Sequence, residues 1–287
     1  MSDTPIDVFI DLPSFPEPVQ AGRLWSHFRK GRESASFEYN KEWLANPHRF
    51  ALEPLLPLAD GTFHTNPGQS VFGAIGDSTP DRWGRILMRR AELARARTAN
   101  ESPHTLSELD YLLRVNDEAR QGALRFSQDG GQSFCAPPGS TPIPPLVNLS
   151  RLLHAADHFC RDDENAEDLR LLLAPGSSLG GARPKASVKD KKGNLCIAKF
   201  PRHDDEYDVV AWEAVALALA SKAGLQVPRF ELEKITDKDV LIVWRFDRTR
   251  EQRRIAYLSA MSMLGARDND CLLYTYDAAD DLIGVDL

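Results

Sequence analysis

A chain of 287 residues, 42% hydrophobic and 27% charged, has the composition of a folded globular protein of about two domains, which excludes wholesale disorder, a collagen-like fibre and a disulfide-stapled miniprotein. No window nears the roughly 18 uninterrupted apolar residues that span a bilayer, and the opening MSDTPIDVFIDLPSFPEP has neither the basic nor the apolar region of a secretory signal, so no membrane association is expected. A formal charge of −7 is opposite to that of a dedicated phosphate-backbone binder, which makes nucleic acid a poor direct partner while leaving room for a local basic patch.

Residues 1–128 read as one unit. Residues 7–11 (DVFID) predict a short strand and residues 37–39 a second, and residues 43–50 form a short amphipathic piece. Pro54 and Pro57 make 52–60 a loop. Residues 81–97 predict the clearest helix of this unit, with Trp83, Ile86, Leu87 and Leu93 on one side. Its six arginines (Arg82, Arg85, Arg89, Arg90, Arg95, Arg97) read as a solvated face paired with nearby acids, the alternative being a surface for an acidic partner. Gly130, Gly131, Gly139 and five prolines mark 129–147 as a linker.

A second unit, 148–270, opens with a helix over 149–160, an acidic solvated turn at 162–168, and a shorter helix ending at Pro175-Gly176. Short strands at 186–189 and 195–200 form a hairpin around the polar turn 190–194. Residues 207–223 predict a helix closed by Gly224, and 229–235 with 240–246 a second hairpin. The cysteines Cys135, Cys160, Cys196 and Cys271 lie far apart with no metal-ligand spacing. They read as reduced thiols of a cytoplasmic protein, and no metal site is assigned.

Three features of the second unit carry chemistry. The segment 177–185, SSLGGARPK, sets Gly180 and Gly181 before a strand, where bare backbone N–H groups can approach an anion. It lacks the Gly-Lys-Ser/Thr of a Walker loop, and a plain turn is the commoner use of two glycines. Lys199 lies inside the apolar strand LCIAKF and must meet an anion, unless it snorkels from an edge strand. Glu213 is the only charged residue between Asp208 and Lys222, on a helix apolar nearly all round and so expected to be buried. A lone glutamate there needs a cation, with Lys199 the natural partner, unless it sits at the helix rim facing water. Glycine loop, strand lysine, helix glutamate and then the apolar strand 240–246 is the layout of a protein-kinase N-lobe, in which the loop covers the phosphates of ATP, the lysine holds them and the glutamate orients the lysine.

With these residues in place, the sequence resembles the HipA family of serine/threonine kinases, the toxin half of type II toxin–antitoxin systems, over about residues 7–270. The resemblance is carried by AGRLW (21–25), FEYNKEWL (37–44), DSTPDRWGR (77–85) and GALRF (122–126) in the first unit. In the second it is carried by SSLGGARPKA (177–186), CIAKFP (196–201), Glu213, RFDR (245–248) and YLSAM (257–261). It implies an α+β fold, a HipA-type N-terminal subdomain followed by the N-lobe of a protein-kinase-like fold. It implies ATP- and Mg²⁺-dependent phosphorylation of a translation-related protein such as glutamyl-tRNA synthetase. By the family's motifs, Gly180, Gly181, Ala182, Arg183, Pro184 and Lys185 would cradle ATP, Lys199 with Glu213 would hold its phosphates, and Trp244, Arg245 and Phe246 would form the adenine hinge. Ser178 matches the serine that family members phosphorylate on themselves, switching the kinase off. The implied partner is a small helix-turn-helix antitoxin (HipB-like) that carries most of the DNA contacts. A catalytically inactive fragment that only binds an antitoxin-like partner, or a small-molecule kinase of the same broad fold, are the alternatives.

One departure limits the assignment. The family places its catalytic and metal-binding acids in a C-lobe beyond RFDR and YLSAM. No H-x-x-x-N-like loop follows Asp247, so no catalytic residue is assigned and the 287-residue polypeptide is expected to lack kinase activity. The tail 271–287, CLLYTYDAADDLIGVDL, resembles translated sequencing-adapter read-through. The native sequence is therefore expected to end near Asp270, the alternative being a genuine variable C-terminal helix, and the acids Asp277, Asp280, Asp281 and Asp286 are given no metal role.

Overall fold

A computed structural model describes residues 5–135, 142–173 and 181–266. Ser177, Ser178, Gly180, the expected helix end at 175–176 and the tail 271–287 lie outside the described residues.

The first unit is built on strands β1 (Ile6–Ile10), β2 (Val19–Arg29) and β3 (Arg32–Tyr39), followed by helix α1 (Lys41–Ala45), strand β4 (Thr62–His64), helices α2 (Gly73–Gly76), α3 (Arg82–Ala99) and α4 (Glu108–Leu113), and strand β5 (Leu124–Ser127). Its sheet runs β4-β3-β2-β1-β5 and is antiparallel throughout. The core beneath it gathers Ile6, Val8, Ile10, Leu24, Phe37, Tyr39, Trp43, Phe72 and Phe126. The strands expected at 7–11 and 37–39 are present, but the eleven-residue β2 between them has no counterpart in the expectation. Its sequence VQAGRLWSHFR shows no clean alternation, and Gly22 breaks the pattern for a steric reason. A Cβ at Gly22 would sit 2.2 Å from the Glu38 carbonyl oxygen and 2.4 Å from the Phe37 ring.

The second unit comprises α5 (Leu149–Cys160), α6 (Ala166–Leu173), strands β6 (Lys185–Lys189) and β7 (Leu195–Lys199), α7 (Val209–Lys222), strands β8 (Phe230–Ile235) and β9 (Lys238–Trp244), and α8 (Ala260–Met263). The sheet order is β6-β7-β9-β8, with both expected hairpins in place. Alternation along β9 separates two cores. Val240 and Ile242 face α5 and α6, whereas Leu241 and Val243 face α7. The end of the linker is not free-standing: Pro145 bridges Lys189 in parallel, and the Pro144 carbonyl accepts from Lys189 N at 2.9 Å, which covers the outer edge of β6.

Helix α3 belongs to the first unit in sequence but packs in the second unit's core, where Trp83 and Leu87 join Leu152, Phe159, Val188 and Ala198. Its buried stripe includes Trp83, Leu87, Met88, Glu92 and Ala96; Leu93, expected on the apolar side, falls off that stripe and is exposed. Three of the six arginines pair with acids, as the solvated-face reading expects: Arg85 with Glu108, Arg90 with Asp162 and Glu164, and Arg95 with Glu92 and Glu101. The run 162–168 is therefore more than a solvated turn, because Arg90 draws two of its acids against α3 while stacking over the Phe159 ring at 4.2 Å. Helix α7 departs most from expectation. It buries only Val210 and Ala214, and Trp212, Val215 and Leu219 are exposed, because one face alone rests on the sheet.

Candidate functional site

The pairing of Lys199 with Glu213 is present. The Lys199 ammonium on β7 donates to Glu213 Oε1 on the second turn of α7, whose start is fixed by the Asp208 side chain accepting from Ala211 N at 2.8 Å. Burial is where expectation and structure part. The Lys199 side chain is 29% exposed and that of Glu213 38%, so the pair lies at the rim between sheet and helix and one side stays open to solvent. A rim cation held by a carboxylate is well placed to meet an incoming anion, since it has not been withdrawn from water completely.

Lys185 adjoins this pair. It is the cross-strand partner of Lys199, so the two side chains leave the same face of the sheet. Lys185 is buried, and its ammonium donates to Asp81 Oδ2 at 2.7 Å and to the Gly181 carbonyl at 3.0 Å. Burial lowers its pKa, with Asp81 opposing the shift. Asp81 also caps α3, its Oδ1 accepting from Gly84 N at 2.7 Å. Next to it, Trp83 Nε1 donates to the Lys185 carbonyl at 2.9 Å and Trp83 N to the Gly181 carbonyl at 3.3 Å. The stem of the glycine loop is thus held by the start of α3, about a hundred residues away in sequence.

The other expected site residues divide. Gly181, at φ +95°, and Ala182 are exposed on the stem, while Pro184 is buried and its carbonyl accepts from Phe200 N at 3.0 Å. Arg183 pairs with Asp205. The Trp244 ring is turned to Asp190 and to the Arg229 guanidinium 3.9 Å above it. Phe246 is exposed, 5.8 Å from the Tyr257 ring. Arg245 is buried and directs its side chain away from solvent, onto Asp247, the Ala119 carbonyl at 2.7 Å and the Arg120 carbonyl at 3.3 Å. Of the residues grouped as nucleotide contacts, Lys185 and Arg245 therefore spend their charges inside the protein, and Lys199 and Glu213 are brought together at an open rim.

Arg245 belongs to a charge cluster that joins the units. Asp247 accepts from Arg245, from Arg248 Nη1 at 2.8 Å and from Gly122 N at 2.8 Å. The Arg120 carbonyl accepts from Arg245, Arg248 and Arg254. Burial pushes Arg120 down to about 10 and Arg248 to about 9, the neighbouring arginines adding to the effect on Arg248. Sequence reasoning used RFDR and GALRF as motifs without detecting that they touch. It likewise read Asp81 only as the start of a helix; nothing in local pattern links position 81 to position 185. Among the described residues, no group of three or more His, Cys, Asp or Glu could hold a metal ion, and no helix is long and apolar enough to cross a membrane.

Residues 17–127 match the family described as the HipA N-terminal domain, and residues 177–283 match the HipA-like C-terminal domain, a match that runs past Asp270. A search of curated proteins finds no match. Among solved structures, the chain is similar to one in the complex of the Shewanella oneidensis MR-1 toxin–antitoxin system HipA, HipB and its operator DNA, at 18% identity and a TM-score of 0.51, over 91% of this chain and 56% of that one. This chain therefore spans little more than half the length of that relative, and at this identity the likeness speaks for the fold. The α+β architecture and the two family matches, in N- to C-terminal order and together covering most of the sequence, lead to one conclusion: the chain belongs to the HipA family.

Proposed function

We propose that the chain forms the N-terminal subdomain and nucleotide-binding lobe of a HipA-type serine/threonine kinase toxin. The observation that carries the reading is the Lys199–Glu213 pair, open on one side and next to the stem of the glycine loop. These residues fit ATP: Lys199 supplies the cation for its phosphates and Glu213 fixes that cation, beside the stem of the glycine loop. When bound, ATP supplies the phosphoryl group to be transferred. Mg²⁺ would accompany ATP, with no ligand to it assigned in this chain; among the described residues no group of three or more His, Cys, Asp or Glu could hold a metal ion, and no step is assigned through a metal.

The reading extends to the family's substrate and partner classes. The acceptor is a serine or threonine of a translation-related protein such as glutamyl-tRNA synthetase, and Ser178 is the self-phosphorylated residue. The partner is a small helix-turn-helix, HipB-like antitoxin that carries most of the DNA contacts, in the cytoplasm. The relative from Shewanella oneidensis, solved together with HipB and operator DNA, supports this partner class. Calorimetric titration of the 287-residue chain with ATP tests the core of the reading. Saturable binding that weakens at least tenfold in Lys199→Met is expected; equal affinity in parent and variant, or no binding by the parent, overturns it.

A further inference from the structure

The two lysines on neighbouring strands pose a problem that the N-terminal subdomain solves. Lys185 and Lys199 stand directly opposite on β6 and β7, and like charges in that relation repel. Glu213 attracts both, because its charge acts on Lys185 as well as on its own partner Lys199. Asp81 stands between Lys185 and that competition. Its Oδ1 is fixed by Gly84 N at the first turn of α3, and its Oδ2 takes the Lys185 ammonium at 2.7 Å, with both side chains 6% exposed. The ammonium is thereby turned toward the Gly181 carbonyl, and Trp83 closes the arrangement through its two donations to the loop stem.

We propose that Asp81, a residue of the N-terminal subdomain, is a positioning residue for the nucleotide site: it holds Lys185 on the stem of the glycine loop and so leaves Glu213 to Lys199. This rests on the nucleotide reading above. Its consequence is that phosphate binding by the second unit depends on a charge supplied by the first.

Asp81→Asn isolates that charge, because asparagine is as good a helix cap as aspartate and α3 keeps its first turn. On the full chain, Asp81→Asn is expected to weaken ATP binding at least tenfold, as the released Lys185 competes for Glu213. The double variant Asp81→Asn/Lys185→Met removes the competitor and is expected to return to within threefold of the parent. A merely structural role for Asp81 gives no such rescue. A second readout needs no nucleotide: acetylation by an N-hydroxysuccinimide ester, quantified by mass spectrometry, is expected to label Lys199 several-fold faster in Asp81→Asn and at the parental rate in the double variant. The proposal is overturned if Asp81→Asn stays within twofold of the parent, if the double variant is no better than the single, or if Lys199 labelling does not change. Should parent and Lys199→Met bind ATP equally, the nucleotide reading fails, and the labelling still decides whether Asp81 governs the Lys199–Glu213 pair.

Discussion

Asp247→Asn should destabilise the protein more than any surface substitution, and the reason is a count of charges. Asp247 is 1% exposed. Six guanidinium groups surround it or adjoin it in the same cluster, those of Arg120, Arg125, Arg245, Arg248, Arg253 and Arg254, and the carboxylates set against them are Asp11, Asp117 and Asp247. The cluster already holds more positive than negative charge. Asparagine keeps the shape but removes the one carboxylate that faces both Arg245 and Arg248, and breaking a buried pair on one side costs about 3–5 kcal/mol. Against a total stability of about 5–15 kcal/mol that is a large share. At roughly 2–4 °C per kcal/mol for a chain of this size, the melting temperature should fall by about 6–20 °C.

Scanning calorimetry of the parent, Asp247→Asn and the double variant Asp247→Asn/Arg245→Met measures this. The double variant should melt above the single, because it no longer strands a guanidinium. A single variant within about 2 °C of the parent, a shift worth less than the charge argument requires, would refute the reasoning. Acidification supplies a second check. Burial raises the Asp247 pKa, but Arg245 and Arg248 outweigh it and the net shift is downward. A carboxylate with a lowered folded-state pKa contributes stability that is complete above the ordinary carboxylate range and lost as pH falls through the folded value. The gap between parent and variant should therefore be widest near neutrality and narrow in acid.

Further tests follow from other contacts. A double-mutant cycle on Lys199→Met and Glu213→Gln should give a coupling of about 1 kcal/mol or less in urea denaturation, since the pair is partly exposed; 3 kcal/mol or more would mean that it is buried. Glu92→Gln should cost about 1–3 kcal/mol at neutral pH. Hydrogen bonds from Arg95 lead the causes that hold Glu92 down at about 2, so its contribution should be present above pH 4.5 and fade toward pH 2; parental melting at pH 7 would contradict this. Gly122→Ala should destabilise by about 1–2 kcal/mol, because Gly122 sits at φ +75° with a would-be Cβ 3.1 Å from the Tyr257 Cβ; an alanine variant as stable as the parent excludes that strain.

The legible parts of the fold are those where local pattern decides structure. The helix 149–160 coincides with α5, and the hairpins around 190–194 and 236–239 form where polar turns separate apolar runs. Lys199 and Glu213 were legible as a pair because each is a lone charge in an apolar stretch. Their exposure was not, since sequence shows how apolar α7 is and not how much of it a neighbouring layer covers. Strand β2 was hidden by a glycine whose role is set by Phe37 and Glu38 on the adjoining strand. Asp81 was hidden for a similar reason, its partner lying about a hundred residues downstream.

The motifs that carry the family resemblance meet in space as pairs. PDRWGR grips the stem of SSLGGARPK through Asp81 and Trp83. GALRF receives RFDR, with Gly122 N on Asp247 and the backbone just before it, at Ala119 and Arg120, taking Arg245 and Arg248. YLSAM returns to DSTPDRWGR, where Ser259 N donates to Asp77 Oδ2 at 2.7 Å. Each of these contacts crosses from one family domain to the other. Four of them converge on backbone carbonyls or on a carboxylate already fixed by a helix cap, so their geometry follows from the fold of both units at once. A motif such as RFDR, assigned to a hinge by position alone, thus has a physical demand on most of its side chains that is met before any ligand arrives: Arg245, Asp247 and Arg248 are consumed in holding the two units together, and Phe246 alone faces outward. The proposed nucleotide site is then a surface feature of a joint structure. Disturbing the N-terminal subdomain should be felt at Lys199 even though no residue of that subdomain has to touch the nucleotide.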